Sequence, residues 1–154
     1  MIESLQERNI ACRDWIDMIN QASPANATAT VLVVEDDFLV RLCAADALGD
    51  AGFTVLEAAS GPDALRILES GPVDVVFTDI NMPGAFDGAG LARLVRQRWP
   101  ETVVVITSGR GCPEEELGEA LFLPKPYMPD SLSRLIEEAL GGHDNANSVR
   151  CLAG

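Results

Sequence analysis

Histidine is nearly missing from this chain. His143 is the single example in 154 residues, and the four cysteines, Cys12, Cys43, Cys112 and Cys151, are scattered without a C-x-x-C pair. That leaves no ligand set for a zinc site and predicts free thiols in a reducing cytoplasm. Basic residues are also scarce: 11 Lys and Arg stand against 24 Asp and Glu, a net charge of −13. Nucleic acids and acidic membrane surfaces would be repelled, so neither is expected as a direct partner. No apolar run approaches the roughly 20 residues of a membrane span. The N-terminus lacks the basic, apolar and small-residue order of a signal peptide. Aromatic residues make up 5% of the chain and hydrophobic residues 47%, so the core is expected to be mostly aliphatic.

What is present is organisation. The length suits one domain with short extensions. Residues 1–20 read as a helix, because Ile2, Leu5, Cys12, Trp15, Ile16 and Ile19 fall on one stripe. Such a helix is marginal alone in water. The stripe is therefore read either as a homodimer contact or lid, or as a frayed leader, with Met18 an alternative start. Residues 21–30 form a small-residue linker. From Val31 the pattern alternates between strand and helix: a strand at Val31–Val34, a helix at Phe38–Ala51 closed by Gly52, and a strand at Phe53–Ala58. Ser60 and Asp63 then form a capping box for a helix through Glu69. A strand over 73–78, a Gly-rich loop, a helix from Asp87 to Trp99 and a strand at Thr102–Ile106 follow. Glu114–Glu119 allows a turn or two of helix, before a short strand at Leu121–Leu123 and a last helix from Pro129 to Leu140. Five strands alternating with helices predict a doubly wound parallel sheet. The pattern leaves the strand order open.

The ends of those strands carry the chemistry. The first strand ends in Glu35 and Asp36, the third in Asp79, the fourth in Thr107 and the fifth in Lys125-Pro126. Carboxyl ends of parallel strands are where open α/β sheets place their ligands. Alone, an Asp before Pro83-Gly84 is better read as a turn opener. Three carboxylates brought together repel unless a cation neutralises them. An anionic, all-oxygen set of this kind suits Mg²⁺, which retains waters and holds a phosphate oxygen. A hydroxyl and an ammonium facing the same point can bind the remaining phosphoryl oxygens, and a carboxylate nucleophile can form an aspartyl-phosphate.

In chain order, Val-Leu-Val-Val-Glu-Asp-Asp, Phe-Thr-Asp-Ile-Asn-Met-Pro-Gly, Val-Ile-Thr-Ser-Gly and Leu-Pro-Lys-Pro-Tyr together resemble the receiver domain of two-component response regulators. The resemblance covers about residues 30–141, leaving 1–29 as an N-terminal helix and linker and 142–154 as a flexible tail. It implies a flavodoxin-like five-stranded parallel sheet of order 2-1-3-4-5, with an extra N-terminal helix. It further implies that Asp79 is the phosphoacceptor. Mg²⁺ is held by Asp36 and Asp79, by Glu35 through a metal-bound water, and by the backbone carbonyl of Asn81. Thr107 hydrogen-bonds the phosphoryl group, Lys125 pairs with it, and the Lys125–Pro126 bond is cis. Phe122 takes the aromatic position whose rotamer follows Thr107. Asp37 has no family role and is read as helix-starting.

Three departures from the family pattern stand out. Glu35 replaces the commoner Asp, and Ala85-Phe86-Asp87-Gly88 lengthens the loop after Asp79 by one residue. Between Thr107 and Lys125 the chain is several residues short, so the fourth helix is expected to be stunted or absent, as in a subset of stand-alone receivers. The expected function is a cytoplasmic single-domain response regulator, a switch or phosphorelay intermediate. Its phosphoryl group would come from a histidine kinase or histidine phosphotransfer protein, its downstream partner being unnamed by the sequence. Two other classes compete with it. A Mg²⁺-dependent phosphatase of the haloacid-dehalogenase type needs a second Asp where Asn81 stands, and a phosphorylation-independent binding module would need no acceptor site.

Overall fold

Val31–Val34, Val75–Phe77 and Val103–Ile106 are apolar at every position, a pattern that only a sheet covered on both faces can bury. The computed structural model, which describes residues 28–84, 86–111 and 114–141, shows that sheet. Its strands are β1 (Thr30–Val34), β2 (Thr54–Ala58), β3 (Val75–Asp79), β4 (Val103–Ser108) and β5 (Leu121–Pro124). All pair in parallel, in the order β2-β1-β3-β4-β5. The helices are α1 (Phe38–Asp50), α2 (Gly61–Ser70), α3 (Gly88–Arg98), α4 (Glu114–Leu117) and α5 (Pro129–Gly141).

Two apolar layers sandwich the sheet. On one face Leu32, Val34, Val76, Ile106 and Phe122 pack with Ala64 and Leu68 of α2 and Leu91 and Val95 of α3. On the other, Val31, Val33, Val75, Phe77 and Val105 meet Ala44 and Leu48 of α1 and Leu132, Leu135 and Ile136 of α5. Odd-numbered residues of β1, β3 and β4 face α1 and α5, as the two-residue period of a strand requires.

Helix boundaries follow local chemistry. Asp37 caps α1, its carboxylate accepting from the amides of Leu39 and Val40, which is the helix-starting role read from the sequence. Gly52 follows with φ 96°, the left-handed conformation that closes helices. Ser60 accepts from Asp63 N and donates to its carboxylate, completing the capping box. Asp87 caps α3 through Gly90 N. The helix after β4 is stunted to Glu114–Leu117, and Arg96 of α3 ties its end down by donating to Leu117 O at 2.6 Å.

Strand boundaries differ from expectation by one or two residues, and those of β3 and β4 matter. β3 starts at Val75 and includes Asp79, with the Asp74 carboxylate accepting from Thr30 N just before it. β4 extends through Thr107 and Ser108. Both functional candidates therefore lie within the hydrogen-bonded ladder, with Asp79 paired to Thr107. The predicted helix over 1–20, most of the linker and the 142–154 tail lie outside the described residues.

The start of α3 presses directly on the end of β3. Gly88 N donates to Ile80 O at 3.1 Å. A Cβ on Gly88 would overlap the Asp79 carbonyl oxygen and lie 2.8 Å from Ile80 Cα. Nothing stands within 4 Å of the corresponding position at Gly71. Gly88→Ala should therefore cost about 1–3 kcal/mol through forced backbone movement, whereas Gly71→Ala should leave the urea midpoint close to wild type. Equal midpoints for the two variants would contradict the close packing.

Candidate functional site

The sheet register assembles the site. Val31 pairs with Val75 and Val33 with Phe77, so Glu35, just past the end of β1, continues the row beside Asp79. Asp79 pairs with Thr107, and Thr107 with Leu123. Strands lie about 4.8 Å apart, so Glu35, Asp79 and Thr107 form a line across the carboxyl edge of the sheet. Lys125 follows Leu123 by two residues on the same side, anchored by Lys125 N donating to Ser108 O. The Lys125–Pro126 bond is cis. Below this polar row lies the apolar row Val33, Phe77 and Val105, each 3% exposed or less. Tyr127 stands edge-on to Phe77 at 5.6 Å, and burial pushes its phenol up to about 12.

Lys125 Nζ donates to Glu35 Oε2 at 2.9 Å and to Asp79 Oδ2 at 2.8 Å. The other oxygens of the two acids are also engaged. Asn81 N donates to Asp79 Oδ1 at 2.9 Å, and Asp37 N donates to Glu35 Oε1 at 3.2 Å. Glu35 is 5% and Asp79 8% exposed, so charge is held where water screens it poorly. Asp36 is exposed, and one carboxylate oxygen from each of Glu35, Asp36 and Asp79 lies within 4.8 Å of the others. Thr107 Oγ1 is buried with no hydrogen-bond partner among the described residues. A hydroxyl left so is costly unless a ligand completes it.

Burial raises the Glu35 carboxyl above its ordinary 4.5, against the lowering pull of Lys125 and of the Asp37 amide, while the charge on Asp79 adds to the rise. Burial also works to lower the Lys125 ammonium, but the hydrogen bonds to Asp79 and Glu35 outweigh it and hold the group above 10.5. Lys125 therefore remains charged across the physiological range.

The structure thus gathers Glu35, Asp36, Asp79, Thr107, Lys125 and the amide of Asn81 at one point. Phe122 stands apart from them. It pairs with Ile106 and packs on the α2–α3 face, whereas Thr107, one residue after Ile106, faces the other way. Two residues that the sequence reading missed also shape the site. Gly88 packs on the Asp79 backbone, and Arg41 Nη1 donates to Glu35 O at 2.7 Å. An arginine within a helix carries no signal of such a contact.

A profile of the response regulator receiver domain matches residues 31–137. The sensor kinase CckA of Brucella abortus is 37% identical over 135 residues, which cover 82% of this chain and 14% of that protein. A putative NtrX-like response regulator of Rickettsia felis is 35% identical over 115 residues, covering 71% of this chain and 24% of the relative. The chain therefore spans no more than about a quarter of the length of these curated relatives. Among solved structures, the chemotaxis protein CheY4 of Vibrio cholerae superposes with a TM-score of 0.67 at 29% identity, over 73% of this chain and 98% of that one. A response regulator receiver protein from Sinorhizobium medicae gives 0.67 at 30% identity, over 75% and 96%. With its sheet order, its acidic strand ends and this match over most of its length, the chain belongs to the response regulator receiver domain family.

Proposed function

We propose that Asp79 accepts a phosphoryl group from a phosphohistidine on a histidine kinase or phosphotransfer protein, and that the chain serves as a phosphorylation-dependent switch or phosphorelay intermediate. The observation that carries this reading is the single row in which Glu35, Asp79 and Thr107 lie, with Lys125 over it. A carboxylate oxygen of Asp79 attacks phosphorus, the P–N bond to the donor imidazole breaks, and an acyl phosphate forms on Asp79. Lys125, already hydrogen-bonded to Asp79, is near enough to pair with the transferred group. The unpartnered Thr107 hydroxyl supplies a donor for one of its oxygens.

The donor set fits Mg²⁺: three clustered carboxylates offer only oxygen, and exposed Asp36 leaves room for retained waters. Glu35, Asp36 and Asp79, with the backbone carbonyl of Asn81, would hold the ion. When bound, it offsets the charge of the incoming phosphoryl oxygens. Phosphatase chemistry with an aspartyl intermediate finds less support. Asn81 stands where a second acid would protonate the leaving group, and a carboxamide has no such proton to give. Phe122 is proposed to respond to Thr107 through the β4–β5 ladder, since the two side chains face opposite sides of the sheet.

Incubation with acetyl phosphate and Mg²⁺ should add one acid-stable, base-labile phosphoryl group to the wild type, read by intact mass. Asp79→Asn should take up none; equal labelling of the two would remove Asp79 from its role.

Thr107→Ala should keep the acceptor and so still be labelled. Its amide-exchange response to beryllofluoride, a phosphoryl mimic, should weaken over 107–111 and 114–128. A full wild-type response in that variant would sever Thr107 from the readout.

Glu35 gives a pH-dependent outcome. Its raised pKa means that the folded protein binds more protons than the unfolded chain between about 4.5 and the raised value, so metal-free stability from this group falls as pH rises through that window. Glu35→Gln cannot titrate. Without metal, its melting temperature relative to wild type should therefore be higher at pH 7 than at pH 4, and it should lose part of the Mg²⁺-dependent rise. A difference that does not change with pH would show that Glu35 carries no burial cost.

A further inference from the structure

The acidic loop between β1 and α1 is gripped from one side by β2. Glu35 N donates to Ala58 O at 3.1 Å. On the carbonyl side, Arg41 Nη1 donates to Glu35 O at 2.7 Å, while its Nε lies 3.4 Å from Glu57 Oε1. The Arg41 side chain is 14% exposed, and its guanidinium sits 5.5 Å over the Phe38 ring. Residues 57 and 58 thus fix both ends of Glu35, directly through Ala58 and by way of Arg41 from Glu57. The Arg41 bond holds the carbonyl of the Glu35–Asp36 peptide, the plane from which the exposed carboxylate of Asp36 starts.

We propose that Arg41 is a positioning residue for the cation that Glu35, Asp36 and Asp79 hold, acting through the main-chain carbonyl of Glu35. The proposal rests on reading that triad as a Mg²⁺ site. Its logic is that a ligand on a short exposed side chain is only as well placed as its backbone, and that partners which orient ligands tune metal affinity by about 10–100-fold. A guanidinium suits the task because its planar fork can donate to a carbonyl while its charge pairs with a carboxylate, here Glu35 O and Glu57.

The sign of the effect separates this role from plain charge. Arg41 is a cation near an acidic site. By Coulomb's law alone, removing it would make Mg²⁺ bind more tightly. If Arg41 acts by position, removing it makes Mg²⁺ bind more weakly. A purely structural Arg41 would lower stability and leave metal affinity unchanged.

The experiment uses the full chain and Mg²⁺ itself, titrated by calorimetry, with urea stability and amide exchange at Asp36 and Asp37 measured in parallel. Arg41→Met keeps the apolar stem over Phe38 but removes every donor. It should weaken Mg²⁺ binding by about tenfold and speed exchange at both amides. Arg41→Lys keeps a donor and should recover part of the affinity, and it covers the case in which the methionine variant fails to fold. Glu57→Gln removes the charge of the second anchor but leaves Arg41 to donate to the Glu35 carbonyl, so it should weaken Mg²⁺ binding less than Arg41→Met does. Tighter binding in Arg41→Met, or unchanged binding with a lowered urea midpoint, would overturn the proposal while leaving the cation site intact. A wild type that does not bind Mg²⁺ would overturn both.

Discussion

Carboxylates at the end of a sheet repel one another, and the ammonium of Lys125 holds two of them in place. Glu35 and Asp79 each give it one oxygen at 2.9 and 2.8 Å. Two like charges about 5 Å apart at an effective dielectric near 20 repel by roughly 3 kcal/mol, comparable to the loss from a damaged core. The lysine reverses the sign of that interaction. It can do so only because β5 lies beside β4 and the Lys125 amide is fastened to Ser108 O. The strand order, the register and the turn after β5 all bear on where one nitrogen atom stands. Two negative charges held by one positive charge leave a site still acidic, which keeps it receptive to a cation.

Most of the fold could be read from the chain because its strands announce themselves. Val31–Val34 and Val103–Ile106 have no polar position, and Ser60–Asp63 and Asp87 mark helix starts by side-chain chemistry. The odd-numbered phase of Val31, Val33 and Glu35 is also visible in the sequence, as are Val75, Phe77 and Asp79. What could not be read is how these phases align. Register is a relation between strands, and nothing within one strand encodes which residue of its neighbour lies opposite. The order 2-1-3-4-5 came from the family resemblance rather than from periodicity.

Boundaries and contacts were less legible for similar reasons. Asp79 read as the first residue after a strand because an acid interrupts an apolar run, yet the ladder continues through it to Thr107. Gly88 looked like loop material, while its lack of a Cβ is what lets α3 rest on the backbone of Asp79 and Ile80. Phe86, from the lengthened loop, packs so that a Cβ on Gly61 would approach its ring to 2.7 Å. The extra residue is thus tied to the start of α2 rather than left in solvent. Such contacts depend on distances between elements, which composition and spacing do not carry.

The fastening of Lys125 N to Ser108 O has a consequence for the far side of β5. In a parallel strand, alternate residues direct their backbone groups toward the same neighbour, so Leu121, Leu123 and Lys125 serve β4. Phe122, Pro124 and Pro126 are left to face outward. Two of these three have no amide hydrogen, so this border offers a single donor to any extended chain that approaches it. Sheets left open at an edge recruit one another into aggregates, and proline is one of the residues that blunts such an edge. With a four-residue helix described between β4 and β5, the prolines on either side of Lys125 do more than shape the turn for the ammonium. They make this border a poor template for a sixth strand, whether from a partner or from another copy of the chain.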